Sequence, residues 1–118
     1  MKRRVVITGL GAVTPLGNSA EESWRAVCTG KSGIGRITKF DTAGFNTKIA
    51  AEVKSFDPLQ YVNKKECRRL DDFILYALAA AEMAFDDAGL AEIGGERSGV
   101  IIGSAIGGLA TIEKEKET

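Results

Sequence analysis

The sequence predicts an α/β fold that combines a mixed, mostly parallel sheet with a buried helix. Short runs of β-branched residues at positions 5–7 and within 98–103 are typical of strands that are covered on both faces in a parallel sheet. Between them, a helical pattern over about 71–88 has an apolar face made mainly of alanine, as expected for a helix that another element approaches closely. The 118 residues show no repeat or linker, so we predict one unit without internal domains.

The glycines that follow the first predicted strand raise the question of a nucleotide site. A dinucleotide-binding GxGxxG motif starting at Gly9 would need glycine at position 14, where the chain has Thr14 followed by Pro15. The acidic residue expected about 20 positions later is also missing, because residues 25–40 contain none. The spacing therefore favours a structural turn in which Gly9 and Gly11 adopt positive φ.

The first helix is predicted to begin at a capping box and to end at a glycine. Asn18 with Glu21 three residues later fits the box, and Gly30 is the expected stop. The apolar face of this helix would consist of Ala20, Trp24, Val27 and Cys28.

The middle of the chain predicts a long connection, a modest strand and a second capped helical region. The connection covers residues 31–46, the strand covers 48–53, and Asp57 with Pro58 indicates a turn or short helix. Asn63 and Glu66 form a second capping-box pattern before the alanine-rich helix, which Gly89 should close. Residues 111–118 read as a charged tail with alternating signs.

Composition excludes several classes of protein. Sixteen basic and sixteen acidic residues cancel, so no bulk charge favours nucleic acid or an anionic membrane surface. No apolar run reaches the length of about 20 residues that spans a bilayer, and the basic start lacks a signal-peptide core. We therefore expect a cytoplasmic protein without membrane or nucleic-acid partners.

Cys28 and Cys67 are the two cysteines, and both read as reduced cytosolic thiols rather than as a disulfide. Cys28 falls in the last turn of its helix, where the helix dipole disfavours a thiolate. Cys67 is placed near a helix start beside Arg68 and Arg69, which would favour reactivity, but the chain contains no histidine to act as a base. The absence of histidine and of a CxxC pair also argues against a metal site.

The strongest local charge asymmetry is the group Lys64, Lys65, Arg68 and Arg69, which recurs at helical spacing as one basic face. Such a face could bind an acidic or phosphorylated partner. The alternative is a solvated helix surface, which is the more common role of clustered charges.

Together these segments resemble the amino-terminal part of the β-ketoacyl-acyl carrier protein synthases, in the condensing-enzyme family, and within it the type II members. Six ordered blocks carry the resemblance and span essentially the whole chain. They are RRVVITGLGAVTPLGN, the Trp24 helix leading into GKSGI, KFDT, RRLDDF, DAGL and GSAIGGL.

The resemblance implies a thiolase-like αβαβα fold and a homodimeric enzyme that extends acyl chains by decarboxylative condensation with malonyl carrier protein. In that family a cysteine carries the acyl group and two histidines assist, and all three would lie beyond Thr118. No catalytic residue is therefore assigned on this chain, which should be inactive alone, and no cofactor or metal is expected.

Two features carry over from the resemblance. Lys65, Arg68 and Arg69 match the basic face that receives the acidic acyl carrier protein, and acyl and malonyl thioesters would be the substrates. Ile106 matches an isoleucine that lines the acyl pocket near the dimer interface in type II members, although plain loop packing is the alternative. A non-enzymatic carrier-protein-binding or dimerising module is the other function left open.

Overall fold

The computed structural model describes residues 2–92 and 94–116, and within them helices predominate. In chain order the elements are α1 (Ala20–Cys28), β1 (Ile34–Arg36), β2 (Ile49–Ala51), a 3₁₀ turn (Pro58–Gln60), α2 (Lys64–Cys67), α3 (Asp72–Ala88) and α4 (Leu109–Lys116). Strands β1 and β2 pair antiparallel, with Ile34 opposite Ala51 and Arg36 opposite Ile49. Within the described residues, these two strands form the only sheet.

The alanine-rich helix lies where the sequence predicts it. α3 runs from Asp72 to Ala88 and ends at Gly89, whose φ of 66° is the left-handed conformation that glycine adopts without strain. The backbone N–H of Gly89 donates to Asp86 O at 3.0 Å, which closes the last turn. Leu75 and Ala79 of this helix belong to the small buried core.

The predicted close approach to α3 is made by the glycine-rich segment near the amino terminus. A Cβ atom on Gly9 would collide with the carbonyl of Ala84 and lie 2.8 Å from the Cβ of Ala88. A Cβ on Gly11 would collide with the carbonyl of Ala80. These two glycines therefore let backbone pack directly on backbone, which no larger residue permits.

This packing corrects the predicted role of Gly9 and Gly11. Among the described residues, the glycines with positive φ are Gly30, Gly89, Gly95 and Gly107, so neither Gly9 nor Gly11 needs glycine for its φ. The prediction of a structural segment rather than a nucleotide loop agrees with this packing, but the reason for glycine is the space that a Cβ would fill.

The start of α1 lies one residue later than predicted. Ser19 is the cap, because its side chain accepts from Glu22 N at 3.1 Å, while Glu22 Oε2 accepts from Asn18 N at 2.9 Å. Asn18 instead donates its side-chain amide to Lys54 O at 3.0 Å, and Glu21 pairs with Arg25 at 2.6 Å. The tertiary contact of Asn18 thus takes it away from the capping position.

α1 ends as predicted but buries a different face. Gly30 follows the helix with φ of 68°. Trp24 is 68% exposed, and Val27 and Cys28 are exposed as well, whereas Ala26 is buried. Three of the four residues of the predicted apolar face are therefore left exposed in the part of the chain that the structure describes, while Ala20 is half-buried.

The mostly parallel sheet is not present among residues 2–92 and 94–116. Residues 5–7 and 98–103 are not strands, and Val5 and Ile101 are 89% and 100% exposed. A run of β-branched residues becomes a strand only when a neighbouring backbone supplies hydrogen bonds, and no described segment does so here. The sequence pattern indicates that these segments are suited to burial, but it does not show which backbone segments would pair with them.

Two further predictions need correction, and two others are confirmed. β1 lies inside the predicted connection 31–46, because a three-residue strand with a central glycine carries little periodic signal. Residues 111–116 of the predicted charged tail are helical, while 117 and 118 lie outside the described residues. β2 falls within the predicted strand 48–53, and Asp57 caps the 3₁₀ turn by accepting from Leu59 N at 3.0 Å.

The chain is more open than a compact domain of its size. Its radius of gyration is 17.4 Å, whereas a compact domain of this length has about 13.5 Å. Its accessible surface is 10147 Å², against about 6,200 Å² for a folded monomer of equal mass. Much of the excess is apolar, since Leu10, Trp24 and the 5–7 and 100–102 segments are all exposed.

Candidate carrier-binding surface and acyl-pocket loop

The basic cluster, defined as Lys64, Lys65, Arg68 and Arg69, is built on the short helix α2 and its carboxyl end. Asn63 Oδ1 accepts from Lys65 N and from Glu66 N, both at 3.0 Å, and Glu66 Oε2 accepts weakly from Asn63 N at 3.4 Å. The predicted capping box is therefore confirmed. It fixes the start of a helix that is too short to be stable by its own hydrogen bonds.

The basic cluster is exposed and is not neutralised by acidic side chains within the described residues. All four of its members are exposed, and none of them forms an ion pair there. The nearby carboxylates are engaged elsewhere: Glu66 with Asn63, Asp72 with Lys39 at 2.6 Å, and Asp71 with Thr111 at 2.7 Å. The result is a local positive surface on a chain whose net charge is zero.

Ile106 lies in a loop over residues 104–108 that packs on the amino-terminal end of α3. A Cβ on Gly107 would stand 3.5 Å from the Phe73 ring, and one on Gly108 would collide with the Asp71 carboxylate. Ile106 itself is 70% exposed. A cavity of about 350 Å³ lies between residues 70–73 and 107–110, and Ile106 is not among its lining residues.

The structure thus brings two predicted site features to one end of α3. The basic cluster leads through Leu70 directly into the start of this helix, and the Ile106 loop rests against its first residues. Binding by Lys65, Arg68 and Arg69 and acyl contact by Ile106 both stay predictions.

An ion pair that the sequence analysis missed joins the predicted long connection to α3. Lys39 Nζ donates to Asp72 Oδ2 at 2.6 Å, and this hydrogen bond raises the pKa of Lys39. Beside it, burial raises the pKa of the Tyr76 phenol, and the Asp72 charge adds to the effect. Tyr76 also contacts Phe56 edge to face at 5.1 Å. No local pattern signals such a pair, because its members stand 33 positions apart.

A second missed contact holds the residues just before this ion pair. Glu52 accepts from the Thr38 hydroxyl at 2.8 Å and from the backbone N–H groups of Thr38 and Lys39 at 3.1 and 3.2 Å. The side-chain hydrogen bond from Thr38 comes first among the causes that lower the pKa of Glu52. Glu52 therefore links the segment after β2 to the segment after β1 by hydrogen bonds.

The cysteines show no catalytic arrangement. Cys28 is exposed at the end of α1, and Cys67 is half-buried as the last residue of α2. Cys67 lies near a helix start, as predicted, but α2 has only four residues, so Cys67 is also its last residue. Within residues 2–92 and 94–116, no three acidic, cysteine or histidine side chains gather where a metal could bind. In the same residues, no helix has the length and apolar character needed to cross a bilayer.

The class of protein follows from comparison with known families. A family model described as "Beta-ketoacyl synthase, N-terminal domain" matches residues 2–118. The chain therefore belongs to the β-ketoacyl synthase family, as the six sequence blocks predict.

Within this family, the chain is most usefully compared with individual relatives of known sequence. The chain is 50% identical to the "3-oxoacyl-[acyl-carrier-protein] synthase 2" of Coxiella burnetii over 115 residues, which is 96% of this chain and 28% of that protein. It is 51% identical to the Vibrio cholerae protein of the same name over 95% of the chain, and 42% identical to the Synechocystis one over 98%. The chain spans about 28% of the length of these curated relatives.

Solved ketosynthases share its fold. "The ishigamide ketosynthase/chain length factor" aligns with a TM-score of 0.69 at 41% identity, over 76% of this chain and 22% of its own. A β-ketoacyl synthase from Burkholderia phymatum aligns with a TM-score of 0.59 at 32% identity. The alignment covers 82% of this chain and 23% of the Burkholderia chain. The AntDE:AntF complex contains a type II polyketide ketosynthase with its acyl carrier protein. It aligns with a TM-score of 0.57 at 31% identity, over 77% of this chain and 24% of the solved chain.

Proposed function

We propose that the protein carrying this chain is a condensing enzyme that elongates acyl chains by decarboxylative condensation with malonyl carrier protein. The observation that carries the proposal is the 42–51% identity, over nearly the whole chain, to relatives named 3-oxoacyl-[acyl-carrier-protein] synthase 2. In this proposal residues 1–118 are the amino-terminal part of one thiolase-like αβαβα domain with a mostly parallel sheet. The protein would be a cytoplasmic homodimer that uses acyl and malonyl thioesters.

The basic cluster is the proposed docking site for acyl carrier protein, with Lys65, Arg68 and Arg69 as its contacts. Two observations support this assignment: these side chains are exposed, and the neighbouring carboxylates have other partners. An unneutralised positive surface attracts an acidic partner and speeds the encounter. A related ketosynthase is known in complex with its acyl carrier protein.

The loop carrying Ile106 is the proposed wall of the acyl pocket. Its exposure and its place at the amino-terminal end of α3, next to the segment that leads from the basic cluster, support this role.

The 118-residue chain alone is proposed to be inactive. It has no histidine that could act as a base for either of its two cysteines. It would contribute scaffold, docking surface and one wall of the pocket.

The test compares the full-length protein with a charge-reversed variant. Wild type should release CO₂ and form a 3-oxoacyl product from acyl and malonyl carrier protein. Reversing Lys65, Arg68 and Arg69 to glutamate should weaken carrier-protein binding by about tenfold or more, and the difference should shrink as salt rises. Reversing Lys2, Arg3 and Arg4, which are exposed basic residues in the amino-terminal segment, is the matched control.

The outcomes separate the alternatives. Unchanged affinity in the variant would reject the docking site, while absence of product from wild type would reject the enzymatic role. Carrier-protein binding without any product would instead favour the non-enzymatic module.

A further inference from the structure

Asp71 stands at the capping position of α3 but does not cap it. Its backbone is extended, with φ of −70° and ψ of 154°, and its carbonyl accepts from Leu75 N at 3.3 Å, the first i→i+4 bond of the helix. A carboxylate here usually accepts from the free N–H groups of the first turn. The Asp71 side chain makes no such bond and accepts instead from Thr111 Oγ1 at 2.7 Å, 40 positions along the chain.

The same carboxylate packs against the backbone where α4 begins. Gly108 O accepts from Ile112 N at 3.0 Å, which opens α4, and Thr111 lies in the first turn. A Cβ on Gly108 would collide with the Asp71 carboxylate, so glycine leaves the space that the carboxylate fills. The first turn of α4 has no acidic residue of its own, and a negative charge is favourable at a helix start.

These contacts fix the loop that bears Ile106. Gly108 is held by Asp71, while Gly107, with φ of 75°, rests against the Phe73 ring. Ile106 is the next residue, so its position relative to α3 follows from the positions of these two glycines. We propose that Asp71, through Thr111 and Gly108, positions Ile106 and thereby sets the length of the fatty acyl chain that the pocket accepts.

This proposal rests on the proposed function, in which Ile106 lines the acyl pocket. Asp71 would be a positioning residue and would not touch the substrate. The experiment uses the full-length protein with four single variants. Asp71→Ala and Thr111→Val remove the hydrogen bond, whereas Asp71→Asn and Thr111→Ser keep an acceptor and a donor in place.

The first readout is the ratio of kcat/KM for a long and a short acyl thioester. Asp71→Ala and Thr111→Val should each change this ratio by about tenfold, the scale on which a pocket discriminates small differences in chain length. The double variant should change it no further, because both substitutions remove one shared interaction. Asp71→Asn and Thr111→Ser should stay close to wild type.

Asp72→Ala is the matched control, because this neighbouring carboxylate holds Lys39 and not the loop. It should leave the acyl-length ratio unchanged. An unchanged ratio in Asp71→Ala, or an equal change in Asp72→Ala, would overturn the proposal.

Amide hydrogen exchange over residues 104–116 is the second readout and does not depend on activity. Exchange should be faster in Asp71→Ala and Thr111→Val and unchanged in Asp71→Asn, Thr111→Ser and Asp72→Ala. Wild-type exchange rates in Asp71→Ala would reject the positioning role. Wild-type protein without condensing activity would reject the proposed function and the acyl-length role, and exchange would still decide whether Asp71 positions the loop.

Discussion

The glycine-rich segment packs against α3, whereas the apolar segments 5–7 and 98–103 have no packing partner of this kind among the described residues. Gly9 and Gly11 lie against the backbone of α3 so closely that no side chain fits between them. A few residues before this contact, Val5 is almost fully exposed, and Ile101 in the second segment is completely exposed. Both regions are rich in residues suited to burial, but only the first has its partner within the described chain. Suitability for burial and actual burial are therefore separate properties.

The largest effect that would test this comparison concerns the 118-residue chain on its own. Its accessible surface exceeds that of a compact domain by about 3,900 Å². At about 25 cal/mol per Å² of apolar surface, even a few hundred Å² left exposed forfeits several kcal/mol, which is comparable to a whole domain's stability of about 5 to 15 kcal/mol. We expect no cooperative monomeric thermal transition by calorimetry. A sharp transition of monomer would show that the exposed segments need no partner.

The next effect probes the glycine contact directly. Gly11→Val in the full-length protein should lower the free energy of unfolding by about 3 kcal/mol, because the new side chain would collide with Ala80 O and separate two backbones. Urea denaturation measures the loss. Gly44→Ala is the control, since no atom lies within 4 Å of its Cβ and its φ is not positive. Equal stability of Gly11→Val and wild type would show that the contact is loose.

The smallest effect concerns Glu52, which follows β2 and accepts hydrogen bonds from Thr38 and Lys39 after β1. The pKa of Glu52 is lowered below its usual 4.5. Its stabilising contribution is therefore present above pH 4.5 and is lost as pH falls through the lower, folded-state value. Thr38→Val removes the hydroxyl donor, so it should be less stable than wild type at neutral pH, and the difference should vanish in acid. Urea midpoints between pH 2 and 7 measure this, and a constant difference would contradict it.

Local signals predicted the parts of the fold that local chemistry controls. The capping box at Asn63 and Glu66 and the glycine stops at Gly30 and Gly89 are as expected, because a helix end satisfies its free backbone groups with residues a few positions away. The cap of α1 differs by one residue for a tertiary reason. The Asn18 side chain is bound to Lys54 O, and Ser19 takes its place.

The candidate site was predicted in part. The basic cluster is visible in the sequence because its four members recur at helical spacing, and Ile106 is visible only through resemblance. The bonds that place them, from Asp71 to Thr111 and from Lys39 to Asp72, join residues 40 and 33 positions apart. Periodicity and spacing describe neighbours along a helix or strand, so they contain no information about such pairs.

By itself, the sequence determined helix α3, the capped start of α2, the glycine stops at Gly30 and Gly89, the basic surface and the family. Each of these depends on side chains within a few positions of one another or on the order of motifs along the chain. Only the tertiary structure decided why Gly9 and Gly11 are glycines, which residue caps α1 and where Asp71 directs its carboxylate. It also decided that residues 5–7 and 98–103 pair with no strand among the described residues, because a strand exists only where a second backbone completes its hydrogen bonds.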